Sequence, residues 1–324
     1  MNVRNNFLKK PIPIIFGVKS YKLKKKEKSF FRKSNPLGFI LFERNCKNYN
    51  QTKLLIRDLK KTTSHKYTMI MIDQEGGRVA RLKNPNWKSY PSAEYFGIKA
   101  KKNLSVAKKL IFKNSIEIAK DLKKLGINMN CAPVLDVKYD FTNNVIGDRS
   151  FSSNPRIVSE LGKSFCNGLK KIGIIPIVKH IPGHGPSSRD SHKTTPNVDL
   201  DLISLNKKDF LPFKKSSFDS IVSSLVLCSI DDVEKTFNEL NRVLKSKGKY
   251  FFWEHTIINN KIIYIIKNIF IFIWKFFTGG CNYNIDNIFN INSIKWGKLK
   301  IYKKHSRLVK FLGLYYIYGE IYKY

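Results

Sequence analysis

The stretch Lys179-His180-Ile181-Pro182-Gly183-His184-Gly185-Pro186-Ser187-Ser188-Arg189-Asp190-Ser191-His192 holds a lysine, an aspartate and three of the chain's six histidines. Histidine moves protons near neutral pH, and a carboxylate close by fixes its tautomer and orientation. Pro182, Gly183, Gly185 and Pro186 exclude a helix through the stretch, so these side chains stand on a constrained loop. A β-branched run, 173–178, precedes it with the length and composition of a buried parallel strand. Polar residues that begin where such a strand ends occupy the place where α/β sheets bind ligands.

Two further loops carry the same signature. Met69-Ile70-Met71-Ile72 runs into Asp73-Gln74-Glu75-Gly76-Gly77-Arg78-Val79-Ala80-Arg81, which joins a strand-end carboxylate, a glycine pair for a tight turn and two arginines. That set suits a polyhydroxylated ligand; it equally suits an Asp capping a turn and an Arg in an internal salt bridge. Asn144-Val145-Ile146-Gly147-Asp148-Arg149-Ser150-Phe151 also ends in a charged pair, a weak signal alone. A metal reading would use His180, His184, Asp190 and His192. The His-x-x-x-His spacing is diagnostic on a helix, which Pro182-Gly183 breaks, so no metal is expected and His184 reads as a loop-stabilising residue.

The elements that must hold these loops alternate. Strands are expected at 14–16, 38–42, 69–72, 127–137 and 174–178, and between them stretches such as 52–61 and 103–125 place apolar residues at helical spacing. Alternating β and α units imply a parallel sheet, doubly wound or closed into a barrel, and five units fit before residue 213.

Composition narrows the class. The 324 residues are 42% hydrophobic, enough for a sizeable core, and carry a formal net charge of +36. The lysines are spread among Ile and Asn along the chain and accompany no nucleic-acid motif, so no specific nucleic acid is expected as partner. Five widely spaced cysteines without a Cys-x-x-Cys pair, and an N-terminus without a secretion signal, predict a reduced, cytoplasmic protein. The apolar segment 262–277 is interrupted by Lys267, Asn268 and Lys275 and is shorter than the ~20 residues of a spanning helix; it predicts at most weak membrane contact.

Taken in order, the loops carry a resemblance. Residues 1–213 resemble the bacterial β-N-acetylhexosaminidases of glycoside hydrolase family 3, the peptidoglycan-recycling type. The stretches concerned are Pro36-Leu37-Gly38-Phe39-Ile40-Leu41-Phe42, 72–81, Ala132-Pro133-Val134-Leu135-Asp136-Val137, 147–151 and 179–192, with Asp209-Phe210-Leu211-Pro212-Phe213 fitting the helix that follows. The resemblance implies a (β/α)8 TIM-type barrel, here truncated after about five units. It implies removal of terminal N-acetylglucosamine from a muropeptide-like glycoside with retention of configuration and without a cofactor. It matches Asp73, Arg81, Arg149, Lys179 and His180 to substrate-binding residues, His192 to the general acid/base and Asp190 to the residue that orients it. A histidine can take the acid/base role that a carboxyl group usually fills.

After Lys215 the pattern changes. The family's nucleophilic aspartate, in a Thr-Asp-Asp-like motif after a seventh strand, has no counterpart, and double displacement needs a nucleophile. The chain is therefore expected either to be an inactive, glycan-binding relative or to use a substitute, for which Glu254, after the strand-like run 249–253, is the candidate. Residues 216–324 resemble the later half of class I S-adenosylmethionine-dependent methyltransferases through 217–232, 240–249, Phe252-Trp253-Glu254-His255 and Gly279-Gly280-Cys281. The glycine-rich cofactor loop of that family is absent. Two segments are thus expected, 1–215 from a glycoside hydrolase and 216–324 partly Rossmann-like.

Overall fold

Short apolar runs that end in charged loops, separated by amphipathic stretches, fold here as alternating strands and helices. The computed structural model describes residues 11–83, 85–181, 183–189, 200, 214–224, 227, 233–257, 294–304 and 314–324. The chain divides into two units, Met1–Ser188 with Asn197–Pro212, and Arg189–Pro196 with Phe213–Tyr324.

The first unit runs β1 (Ile12–Gly17), α1 (Lys25–Ser34), β2 (Pro36–Leu41), α2 (Tyr49–Lys60), β3 (Met69–Ile72), α3 (Ala93–Lys102), α4 (Leu104–Leu125), β4 (Met129–Asn130), α5 (Pro155–Ile172) and β5 (Ile175–Pro176). Its strands form one sheet in the order β1-β2-β3-β4-β5, each pair parallel. Sequential neighbours in a parallel sheet require crossovers, which the helices supply. Gly38 lets β2 lie close to β3, since a Cβ there would stand 2.1 Å from the Met69 carbonyl oxygen. Phe39, Leu41, Ile70 and Ile72 of the sheet are fully buried, as are Leu59 of α2, Ile111, Ile118 and Leu122 of α4, and Val158, Leu161 and Leu169 of α5.

The ends of α4 and α5 are built alike. Asn103 and Asn154 cap their N-termini by accepting backbone N–H bonds, and Pro155 opens α5. Each ends in a left-handed glycine, Gly126 at φ 91° and Gly173 at φ 87°. The next N–H, of Ile127 or Ile174, returns to the carbonyl of Leu122 or Leu169 at 3.1 Å in both cases.

The strands expected at 127–137 and 174–178 are shorter than their composition suggests. β4 and β5 each have two residues, because Pro133 and Pro176 offer no N–H and the chain beyond them turns its polar groups to a site. Pairing resumes once, at the bridge Val134–Lys179, where Leu135 N–H donates to the Lys179 carbonyl at 2.6 Å.

In the second unit β6 (Phe218–Ser224), α6 (Val233–Val243) and β7 (Leu244–Ile257) are followed by β8 (Gly297–Lys304) and β9 (Leu314–Lys323). The sheet order is β6-β7-β9-β8; β6 and β7 are parallel, while β9 is antiparallel to β7 and to β8. Phe237 and Leu240 of α6 are buried, as are Tyr250 and Phe252 of β7 and Ile317 and Ile321 of β9. The segment 262–277 lies outside the described residues, and among those described no helix is long and apolar enough to cross a membrane.

Candidate functional site

The chemistry gathers at the carboxyl ends of β3, β4 and β5. The loop after β3 is set by Gln74, 1% exposed, whose side-chain oxygen accepts the N–H groups of Arg81 and Leu82 at 2.9 and 3.0 Å. Asn130 of β4 exchanges two 2.9 Å bonds with the Gln74 backbone. Gly76 (φ 104°) and Gly77 (φ 58°) turn the loop tightly, so Asp73, Glu75 and Arg81 come from one rigid hairpin.

Onto that hairpin converge cations from two other loops. Lys179 Nζ lies 2.7 Å from Asp73 Oδ1 and 2.7 Å from Glu75 Oε1. Arg81 Nη2 donates to Asp73 Oδ2 at 3.1 Å. Arg149, on the 3-10 turn Gly147–Arg149, forks onto Glu75 with Nε to Oε2 and Nη2 to Oε1, both 2.9 Å. Planar bidentate pairing of this kind fixes both partners. Arg78 Nε binds Asp148 at 2.6 Å and its Nη2 donates to the Val145 and Ile146 carbonyls, tying the Arg149 loop to the β3 loop.

Burial raises the Asp73 carboxyl, but the Lys179 ammonium and Arg81 outweigh it and hold Asp73 below its ordinary value. Burial alone would lower Arg149; the Glu75 hydrogen bonds and charge raise it. Burial, with Asp73 nearby, pushes the Cys131 thiol beside the cluster up to about 12, so it stays a neutral thiol.

A second pair adjoins the first. Asp136, with a fully buried side chain, faces His180 Nδ1 at 2.6 Å and accepts the His184 N–H at 2.7 Å. Gly185 makes this approach possible, since a Cβ there would stand 1.9 Å from the Val137 carbonyl oxygen.

Five of the residues singled out from sequence, Asp73, Arg81, Arg149, Lys179 and His180, thus stand on the three loops that meet here. Asp190 and His192 lie outside the described residues. Glu75 and Asp136 were not singled out, and each proves central. The signal for Glu75 was present in the Asp-x-Glu spacing, which puts two carboxylates on one turn. Among the described residues no group of histidine, cysteine and carboxylate side chains could hold a metal ion.

Glu254 departs from expectation. It is not at a strand end but inside β7, opposite Ile317 of β9, fully buried, with Oε1 accepting the Leu227 N–H at 3.2 Å. The apolar run preceding it continues through Ile257 as one long strand. It belongs to the second unit, whereas the cluster belongs to the first.

A parallel α/β sheet with a charged, hydrogen-bonded cluster at its carboxyl ends is the layout of an α/β enzyme. The chain belongs to glycosyl hydrolase family 3: the model of that family's N-terminal domain matches residues 11–247. The match continues beyond residue 213, where the resemblance was expected to stop. A β-hexosaminidase of Psychromonas ingrahamii is 32% identical over 226 residues, 68% of this chain and 65% of that protein. β-Hexosaminidase A of Pseudoalteromonas piscicida is 38% identical over 180 residues, 54% of this chain and 30% of that protein. Among solved structures, NagZ from Neisseria gonorrhoeae in complex with N-trifluoroacetyl-D-glucosamine superposes with a TM-score of 0.59 at 32% identity, covering 62% of this chain and 59% of that one. The chain thus spans less than two thirds of the length of each of these relatives.

Proposed function

We propose that this chain is a β-N-acetylhexosaminidase-type glycoside hydrolase that takes the terminal N-acetylglucosamine of a muropeptide-like glycoside. The observation that carries the reading is the cluster at the strand ends. Asp73 and Glu75 pair with Arg81, Arg149 and Lys179, and Asp136, whose charge also acts on Arg149, stands beside them against His180, so three carboxylates accompany three cations. Formal charge is balanced, so the fitting ligand is neutral and rich in hydroxyl groups rather than an anion. Donors of Arg81, Arg149 and Lys179 would meet sugar oxygens, held in place by the carboxylates. The bound N-acyl glucosamine of the Neisseria relative supports the same sugar class.

In this reading the five parallel strands are the first five of a (β/α)8 barrel. His192, oriented by Asp190, is the group that would protonate the leaving glycosidic oxygen; completing a double displacement also needs a carboxylate to bond the anomeric carbon, and the family's motif for it has no counterpart in this sequence. No cofactor is required.

Hydrolysis of a fluorogenic N-acetyl-β-glucosaminide by the full chain, beside its His192→Ala variant, tests the proposal. Turnover that the substitution abolishes would show a working site supplied with a substitute nucleophile. Saturable N-acetylglucosamine binding without turnover would reassign the chain to non-catalytic glycan binding, and neither binding nor turnover would overturn the reading.

For the second unit we propose descent from the later half of a class I methyltransferase. The parallel β6-α6-β7 unit fits a Rossmann-like half and a barrel unit alike, and the family match through residue 247 covers most of it, so the proposal rests on the sequence motifs alone. Without the glycine-rich loop, no binding of S-adenosylmethionine is expected, and calorimetric titration with that cofactor checks it.

A further inference from the structure

We infer that Asp136 is a positioning residue that fixes the tautomer of His180, so that the ring presents Nε2 to the sugar pocket as a hydrogen-bond acceptor. The inference rests on the glycoside reading for its ligand, though not for its geometry.

Asp136 has no exposed side-chain surface, and both its oxygens are engaged from the same short loop. Oδ1 accepts the His184 backbone N–H at 2.7 Å, a donor whose direction cannot be reversed. That bond locks the carboxylate plane and leaves Oδ2 facing His180 Nδ1 at 2.6 Å. An ionised carboxylate only accepts, so the nitrogen opposite it must carry the proton. In the neutral imidazole the proton then sits on Nδ1, and Nε2 is left with a lone pair. The side chain is 38% exposed, so the ring is accessible to a ligand.

The consequence is a specificity rule. Lys179, one residue earlier, can only donate, whereas His180 accepts. Adjacent residues of opposite hydrogen-bonding character suit a pair of neighbouring hydroxyls, one accepting from Lys179 and the other donating to His180. A site built to receive a hydroxyl proton discriminates against a group that cannot supply one. Asp136 reaches the ligand only through His180, and the His184 amide makes the loop backbone part of the device.

The test reads the tautomer directly. The full chain, carrying 15N-labelled histidine, is examined by long-range proton–nitrogen NMR under mildly alkaline conditions, with the His180 signals assigned by their loss in His180→Gln. A protonated Nδ1 and a bare Nε2 are expected in the unsubstituted protein. In Asp136→Asn, whose amide can turn its NH2 toward the ring, part of the signal should move to the Nε2–H form. An Nε2–H ring in the unsubstituted protein overturns the inference without need of any variant, and an unchanged ratio in a folded Asp136→Asn overturns the role of Asp136. The ligand side uses N-acetylglucosamine and its mono-deoxyfluoro analogues, in which fluorine accepts but cannot donate. At least one analogue should bind about 10-fold more weakly. Equal binding of every analogue overturns the specificity rule. Failure of N-acetylglucosamine itself to bind overturns the glycoside reading, while the tautomer result still decides the positioning role.

Discussion

The two units both bury acidic side chains near a sheet, and they do so to opposite effect. In the first, Asp73, Glu75 and Asp136 stand beyond the ends of strands, where three loops bring Lys179, Arg149 and His180 to them. In the second, Glu254 lies within β7 and accepts a backbone amide. The contrast follows from strand polarity. A parallel sheet collects all its strand ends, with their loops, at one edge, so charges distant in sequence can meet there. Within a long strand the neighbouring positions are already taken by ladder partners and apolar packing. A carboxylate becomes chemically available according to where on a sheet it falls, more than by how deeply it is buried.

That comparison can be broken, beginning with its largest expected effect. Glu75→Ala would leave Arg149 and part of Lys179 uncompensated; stability should fall by about 3–5 kcal/mol, read by denaturant unfolding. A loss below about 1 kcal/mol would show that the cluster is not the cooperative network described. Glu254→Ala, which strands the Leu227 amide, should cost about 1–3 kcal/mol, while Glu254→Gln keeps an acceptor and should cost much less. If Glu254→Gln instead abolished turnover with the fold intact, the contrast between the units would fail. Arg78→Ala, at a half-exposed position, should cost about 1 kcal/mol or less in stability, visible in the same unfolding experiment.

The pH response sharpens the same point. Asp73 is held below its ordinary value of 3.8, so its stabilising contribution is fully present above that value and is lost as the pH falls through the depressed one. The stability difference between the protein and Asp73→Asn should therefore be constant near neutrality and shrink once the pH drops below 3.8. A difference that grew on acidification would contradict the Lys179 and Arg81 pairing as its cause.

Much of the first unit was legible beforehand. The apolar run at 69–72 is a strand with the expected bounds, and helical spacing at 103–125 became α4, because both signals are local periodicities. The length of β4 was not legible: the residues of 132–137 look like a strand by composition, yet Pro133 and the polar Asp136 take them out of the ladder. In the candidate site, Asp73, Arg81, Arg149 and Lys179 were singled out through the family resemblance, whose motifs each follow a strand; the loops alone left the Arg149 signal weak. The partnerships were hidden: Glu75 joins Arg149 across 74 residues, and Asp136 meets His180 across 44. No spacing rule within one element reports on such distances. In the second unit the run that ends at Glu254 suggested a strand end, and only the ladder with β9 shows the strand continuing.

The matched endings of α4 and α5 carry a consequence of their own. Leu-Gly-Ile at 125–127 and Ile-Gly-Ile at 172–174 make the same hand-off from helix to strand, with the same glycine conformation and the same returning hydrogen bond. The chain has one standard coupling and uses it twice, so the joint is independent of the particular helix behind it or the strand ahead. The two couplings are interchangeable parts: exchanging the tripeptides leaves both glycines and both return bonds in place, and the charged loops downstream keep their alignment.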